Sequence, residues 1–319
     1  MYKNRDGFPI SCLSFALTSH CNMYCKHCYN NSGTCNDVPD EMTPQRWIEF
    51  SKYIVAHGGV MECLLSGGEP FLIGDALFEI MDILHNDGTL FLLATNGYLL
   101  TEEKARKLSK YEYHWVQVSI DSISPQYHDS FRNLKGSWEK AVCASKAVAS
   151  NGMPLKIVHC VTPYNIDDID EMCEFAYSMG AACIIVGEVC MSGRAAKNRD
   201  LFLTSEQKEV LHYKFEENFS KYKGRMIVKT SHTVRSGLEK HYMHPKSKAV
   251  IRSNGDVRLD DMAPFVVGNI LKEDFSEIWR SKIETSWKNK KIRRYITDFD
   301  SEDKNYSIIN YMDDNIFIS

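Results

Sequence analysis

Three thiols stand close together near the start of the chain: Cys21, Cys25 and Cys28, in HCNMYCKHCYN, spaced Cys-x3-Cys-x2-Cys. Thiolates bind soft metals, so the spacing raises the question of which metal. A structural zinc site takes four ligands, commonly in two pairs. Here the second pair is missing, and His20 or His27 could complete a zinc site only through a cramped loop. Iron–sulfur clusters are held by Cys thiolates, normally four, and fit the triplet better; three ligands leave one iron open. The third reading is three unrelated core cysteines, for which a polar loop directly after a strand is a poor place. Cys35, in the polar loop NNSGTCNDVPD, is a further thiol whose part stays open.

Such residues need a frame. From Ile10 to about Glu188 short apolar or β-branched runs alternate with longer helical patterns, as in βα units around a parallel sheet. Six strands are predicted, at 11–17, 61–66, 90–95, 115–121, 155–162 and 182–188. Helix starts are marked by Thr43 with Pro44, by Thr101 ahead of EEKARKL, and by Asp167 opening DIDEMCEFAYSMG, which closes at Gly180. Six successive right-handed βα units curl into a full or partial barrel whose functional edge lies at the strand C-termini. Past Gly193 the pattern changes. Thr204 with Gln207 predicts a capping box and a helix to about Tyr222. RMIVKT and KAVIRSNGDVRL read as short strands, the second a hairpin around Asn254-Gly255, and a helix follows near 275–280. The expected divisions are 1–195 for the barrel, 196–300 for the appendage and 301–319 for a tail that begins in polar sequence.

The Cys-x3-Cys-x2-Cys spacing directly after the first strand of an α/β barrel resembles the signature of the radical S-adenosylmethionine (SAM) superfamily. The resemblance implies one [4Fe-4S] cluster on Cys21, Cys25 and Cys28, with S-adenosyl-L-methionine chelating the open iron and yielding, on reduction, a 5′-deoxyadenosyl radical. It implies the fold as well: α/β, a partial (β/α)6 barrel of radical SAM type with a smaller C-terminal α+β appendage. Several further positions carry the resemblance. His27 matches an often aromatic position near the adenine. LLSGGEP matches the family's GGE loop, so Gly67 and Gly68 would let the backbone approach SAM and Glu69 would face its ammonium. In ATNGYLL, Asn96 would reach the nucleoside. Alternation along VSIDS puts Gln117, Ser119 and Asp121 on one face, where Ser119 and Asp121 would meet the SAM ribose and carboxylate. Arg132, in HDSFRNLKGSWEKA, is a candidate carboxylate contact. On the fifth strand His159 and Cys160 point to opposite faces; His159 is taken as a cofactor-side residue. VGEVCMSGRA resembles the segment leading into a Gly-Arg-Ala element, and shared parity places Glu188 and Cys190 together at the barrel mouth as substrate-side residues, with Cys190 a candidate hydrogen donor and Cys160 second.

AVIRSNGDVRLDDMAPFVVGNILKEDFSEIW resembles the core of a SPASM appendage, with Gly255, Asp256 and Val257 at its turn and Asp260 near the place where a cysteine is usual. SPASM domains hold auxiliary clusters through several cysteines, and of the eleven cysteines here none follows Cys190. A degenerate appendage without cluster is therefore expected. The stretch 281–295 is strongly basic, which suits a solvated helix face or a dock for an acidic leader peptide.

With 38 basic and 42 acidic residues, nothing in the charge points to nucleic acid or an anionic membrane as a partner. The opening residues lack an apolar signal core and no apolar run could span a bilayer, so a cytoplasmic enzyme is expected. Its electrons would come from a low-potential donor such as flavodoxin or ferredoxin. Two substrate classes follow from the resemblance. One is a ribosomally made peptide, epimerised or crosslinked; the other is a small molecule such as a sugar, nucleoside or cofactor precursor. A sensor that binds SAM without turnover is the non-enzymatic alternative.

Overall fold

The computed structural model describes residues 10–34, 38–231, 234–261, 263–298 and 316–318. Six parallel strands form its centre: β1 (Ile10–Ala16), β2 (Val60–Ser66), β3 (Leu90–Thr95), β4 (Tyr113–Ser119), β5 (Leu155–Val161) and β6 (Cys183–Glu188). The helices α1 (Pro44–Ala56), α2 (Ala76–His85), α3 (Glu102–Leu108), α4 (Pro125–Arg132), α5 (Ser137–Ser150) and α6 (Ile169–Ser178) lie between them. Thr43 accepts a hydrogen bond from the Arg46 N–H and Thr101 from that of Lys104, as their N-cap positions require. The expected Asp167 start differs, because a 3-10 turn at Ile166–Asp168 precedes α6.

Period-two alternation sorts the sheet into a dry face and an open one. Phe15, Leu65, Leu93, Val118, Ile157 and Val186 are fully buried beneath the helices. Their neighbours Ser66, Leu92, Gln117, Ser119 and Ile185 are half-buried on the concave face. Burying each large apolar side chain contributes roughly 1.5–3 kcal/mol, so the helix side carries the stability and leaves the concave side free for chemistry. Trp47 of α1 is one anchor: its ring lies 5.1 Å from that of Phe15, and its indole N–H donates to the Leu17 carbonyl at 2.9 Å.

A further parallel strand flanks the six on each side. RMIVKT, read as part of the appendage, supplies β7 (Ile227–Thr230), which pairs with β6; the capped helix α7 (Ser205–Lys221) precedes it. After α8 (Val234–Met243), β8 (Ala249–Ile251) pairs parallel to β1 and turns back antiparallel into β9 (Asp256–Arg258) through Asn254-Gly255. β10 (Phe265–Asn269) and β11 (Ile316–Phe317) complete a linear order, β11-β10-β9-β8-β1-β2-β3-β4-β5-β6-β7, so the barrel is open. The appendage is thus an extension of the barrel sheet rather than a separate layer. Most of the tail expected at 301–319 lies outside the described residues, but β11 is paired to β10.

Candidate active site

The site grows from the loop after β1. Its first turn is held from two sides. Glu41 accepts from the Thr18 hydroxyl at 2.6 Å, the Ser19 N–H at 3.0 Å and the Ser19 hydroxyl. From the other side the Gly68 N–H donates to the Thr18 carbonyl at 2.6 Å and the Glu69 N–H to the His20 carbonyl at 2.9 Å. A Cβ on Gly68 would lie 1.9 Å from the His20 oxygen, and one on Gly67 2.6 Å from that of Thr18. The close approach that these glycines permit is therefore to the chain's own backbone.

Beyond this turn Cys21 and Cys25 are buried in contact with Met23, and Cys28, Tyr98 and Leu134 pack against them. Burial pushes the Cys21 thiol up to about 12 and the Cys25 thiol up to about 11. Among the described residues no three His, Cys, Asp or Glu side chains form a ready-made metal cage. The thiols are neighbours at the C-terminal end of β1, and three soft donors without a fourth fit an iron–sulfur cluster with an open iron. Cys35 lies outside the described residues.

Glu69 is fully buried and accepts from the Phe71 N–H, the Thr95 hydroxyl and the Asn96 N–H at 3.3, 2.8 and 2.9 Å. Burial raises its carboxyl to about 7 against these donors. Asn96 in turn points at the cysteine loop: its amide donates to Asn22 Oδ1 at 2.8 Å and lies 3.6 Å from the Cys21 sulphur. Both residues thus brace the loop with contacts that the chain itself supplies.

Asp121 continues the open face of β4 past Ser119. It accepts from Arg132 Nε at 2.7 Å and from the Cys160 N–H at 3.1 Å. Burial alone would raise its carboxyl; the Arg132 guanidinium together with His27 and His128 outweighs that and holds it well below the usual carboxylate range. Arg132, offered above as a carboxylate contact, has its carboxylate in Asp121. His27 stacks on Phe131 at 4.1 Å with Nε2 4.0 Å from Asp121, and burial lowers its imidazole to about 4. His128 accepts the Asp121 N–H at 3.2 Å. Ser119 is half-buried beside this group.

Two expected site residues face elsewhere. The register Ser119↔Val158 puts Val158 and Cys160 on the open face, and so turns His159 toward the helices, where it is fully buried. Val161↔Glu188 places Glu188 on that same outer side. It is exposed and lies 3.6 Å from Lys208 of α7. Cys190 does not inherit a parity from Glu188, because β6 ends there. It is half-buried in the following loop, near enough to Cys160 for a charge on one to raise the other. Glu41 and His128 carried no spacing signal that could have marked them.

An open parallel α/β barrel with a thiol triplet at the end of its first strand defines the class as a cluster-dependent barrel enzyme. The chain belongs to the radical SAM superfamily, whose family model matches residues 15–176; a second, described as an iron-sulfur cluster-binding domain (SPASM), matches 243–306. It is therefore a radical SAM enzyme, with a [4Fe-4S] cluster and SAM as its cofactors. The AdoMet-dependent heme synthase of Methanosarcina barkeri is 26% identical over 84% of this chain and 82% of its own length. The sporulation killing factor maturation protein SkfB of Bacillus subtilis is 26% identical over 85% of this chain and 64% of its own. Among solved structures, Streptococcus suis SuiB bound to SAM shares the fold at a TM-score of 0.68, with 14% identity over 88% of this chain and 67% of SuiB. Among the described residues no helix is long and apolar enough to cross a membrane.

Proposed function

We propose that the enzyme modifies a ribosomally made peptide by abstracting a backbone or side-chain hydrogen. The open barrel carries this reading: its strands form a linear, unclosed order, and an unclosed barrel could receive an extended chain along the face that bears the half-buried Gln117 and Ser119. Relatives point the same way, among them SkfB and the PqqA peptide cyclase of Rhizobium meliloti, and SuiB has been solved with its precursor peptide SuiA. Cys21, Cys25 and Cys28 would hold the cluster, which with SAM and a low-potential donor such as flavodoxin or ferredoxin would supply the radical chemistry that removes a hydrogen.

The chain's own part is to hold SAM and to finish the reaction. SAM would lie over the Asn96, Ser119 and Asp121 edge, beside the GGE loop that the buried Glu69 braces. Cys160 is the better-placed hydrogen donor of the two thiols, since its face is the concave one. Its S–H bond breaks, a C–H bond forms on the substrate radical, and the resulting thiyl radical regains one electron from the same donor and one proton from solvent. The product is an inverted centre with no net oxidation.

Precursor peptides, incubated anaerobically with the reduced enzyme in heavy water, should acquire one deuterium at the inverted carbon. Cys160→Ala should still cleave SAM but yield little inverted product; full labelled product from it would exclude this thiol. A second reading, a small cofactor precursor as substrate, is favoured by the heme synthase, which this chain matches over more of its length than SkfB. Turnover of a tetrapyrrole with no peptide product would select it.

A further inference from the structure

We infer that Arg194, in the segment after β6, is a positioning residue that holds the cysteine loop in its ligand-presenting shape and sets a positive charge against it. The inference rests on this loop as the holder of the cluster and is independent of the substrate.

The loop from Tyr24 to Ser32 contains no regular helix or strand, so its carbonyls need partners from elsewhere. One distant segment supplies five of them. Arg194 Nε donates to the Cys25 carbonyl at 2.8 Å, Nη2 to that of Ser32, and its backbone N–H to that of Cys28 at 3.0 Å. Ser192 Oγ donates to the Tyr29 carbonyl at 2.8 Å and Asn198 Nδ2 to that of Lys26 at 2.9 Å. The remaining guanidinium nitrogen, Nη1, reaches Asn31 Oδ1 at 3.2 Å, and the group lies 3.7 Å from the Tyr24 ring centre.

Only a planar fork with several fixed donors can serve three acceptors and a ring at once; a lysine ammonium cannot. Gly193 makes the fit possible, because a Cβ there would sit 2.4 Å from the Cys28 oxygen. The same contacts join the end of β6 to the thiols, so the Gly-Arg-Ala element is a clamp on the cysteine loop. A fixed positive charge beside a cluster also favours its reduced, more negative form.

Two measurements on Arg194→Gln and Arg194→Lys test this. In the apo protein the Lys26, Cys28 and Asn31 amides, which donate to Phe131, Cys25 and Cys28 carbonyls, should exchange about tenfold faster in both variants, while amides of β1 to β5 stay as in the wild type. Unchanged exchange at those three amides would overturn the positioning role. After reconstitution, Arg194→Gln should be reduced about tenfold less at a fixed potential, about 59 mV for one electron; Arg194→Lys, which keeps the charge, should stay near the wild type. An unchanged potential in fully loaded Arg194→Gln would overturn the role of the charge. Should Arg194→Gln not fold, the exchange and potential of Arg194→Lys decide, with exchange accelerated and potential kept as the supporting pattern and any other overturning it.

Discussion

The loop after β1 and the turn after β9 both lie in stretches matched to iron–sulfur domains, yet they bury opposite chemistry. In the first, backbone groups take up the polar contacts and the thiols share one small apolar cluster with Met23, Tyr98 and Leu134. In the second, charged side chains are spent on each other. Asp260 lies 3.4 Å from His241 and accepts the Ala263 N–H at 3.1 Å, while Asp261 binds Lys248 and accepts from Ser14 Oγ at 3.3 Å. The appendage keeps its shape through an apolar core of Phe265, Phe275, Ile278, Trp279, Ile283 and Trp287, all at most 3% exposed. A frame held that way can lose its metal ligands without losing its fold, whereas a loop of irregular backbone exists for the ligands it presents.

The sharpest break in that comparison comes from the cysteines. Cys21→Ala, Cys25→Ala or Cys28→Ala should each abolish SAM cleavage and remove most of the visible absorbance, with little change in the far-ultraviolet spectrum; a variant that kept both would remove that thiol from the ligand set. In the appendage the matching change is in the core: Trp287→Ala should cost about 3–5 kcal/mol in denaturant unfolding. A cost under about 1 kcal/mol would show that something other than packing holds that region.

The buried pair beside the loop should behave differently again. Asp121→Asn leaves Arg132 without its counter-charge and should destabilise the fold by about 3–5 kcal/mol, while Asp121→Asn combined with Arg132→Met should recover much of it. Simple additivity in the double variant would contradict the pairing. Glu69 gives a pH signature. Its carboxyl is raised from 4.5 to about 7 in the fold, so it favours the protonated form, and its contribution is lost as pH climbs between those values. Apo wild type should lose about 3 kcal/mol relative to Glu69→Gln across that window; parallel curves would refute the shift. Asp260→Ala, the smallest effect, should cost about 1 kcal/mol, from the lost Ala263 N–H bond and the lost contact to His241, with no change in iron.

Much of this was legible in the chain. The six central strands announce themselves as apolar runs with turn signals, and alternation correctly groups Gln117, Ser119 and Asp121. Alternation assigns parity without saying which parity faces inward. For His159 and Cys160 only the register with β4 decides, because Ser119 was already known to lie on the polar face. Glu188 turns outward for the same reason, by its register with Val161, and parity says nothing of Cys190, which lies past the end of β6. Glu69 takes its donors from Thr95 and Asn96 at the end of β3, and Asn96 finds its acceptor, Asn22 Oδ1, in the cysteine loop; no local pattern encodes these contacts. Arg194 was visible in the SGRA stretch, and its partners stand 162 to 169 positions away.

With no cysteine after Cys190, one cluster in the barrel and none in the appendage is the expected arrangement. Iron and acid-labile sulfide per chain, measured after anaerobic reconstitution of the wild type and of the triple Cys21→Ala, Cys25→Ala, Cys28→Ala variant, test it most directly. About four of each in the wild type and almost none in the triple variant is the expected result. About eight in the wild type, or about four persisting in the variant, would contradict it.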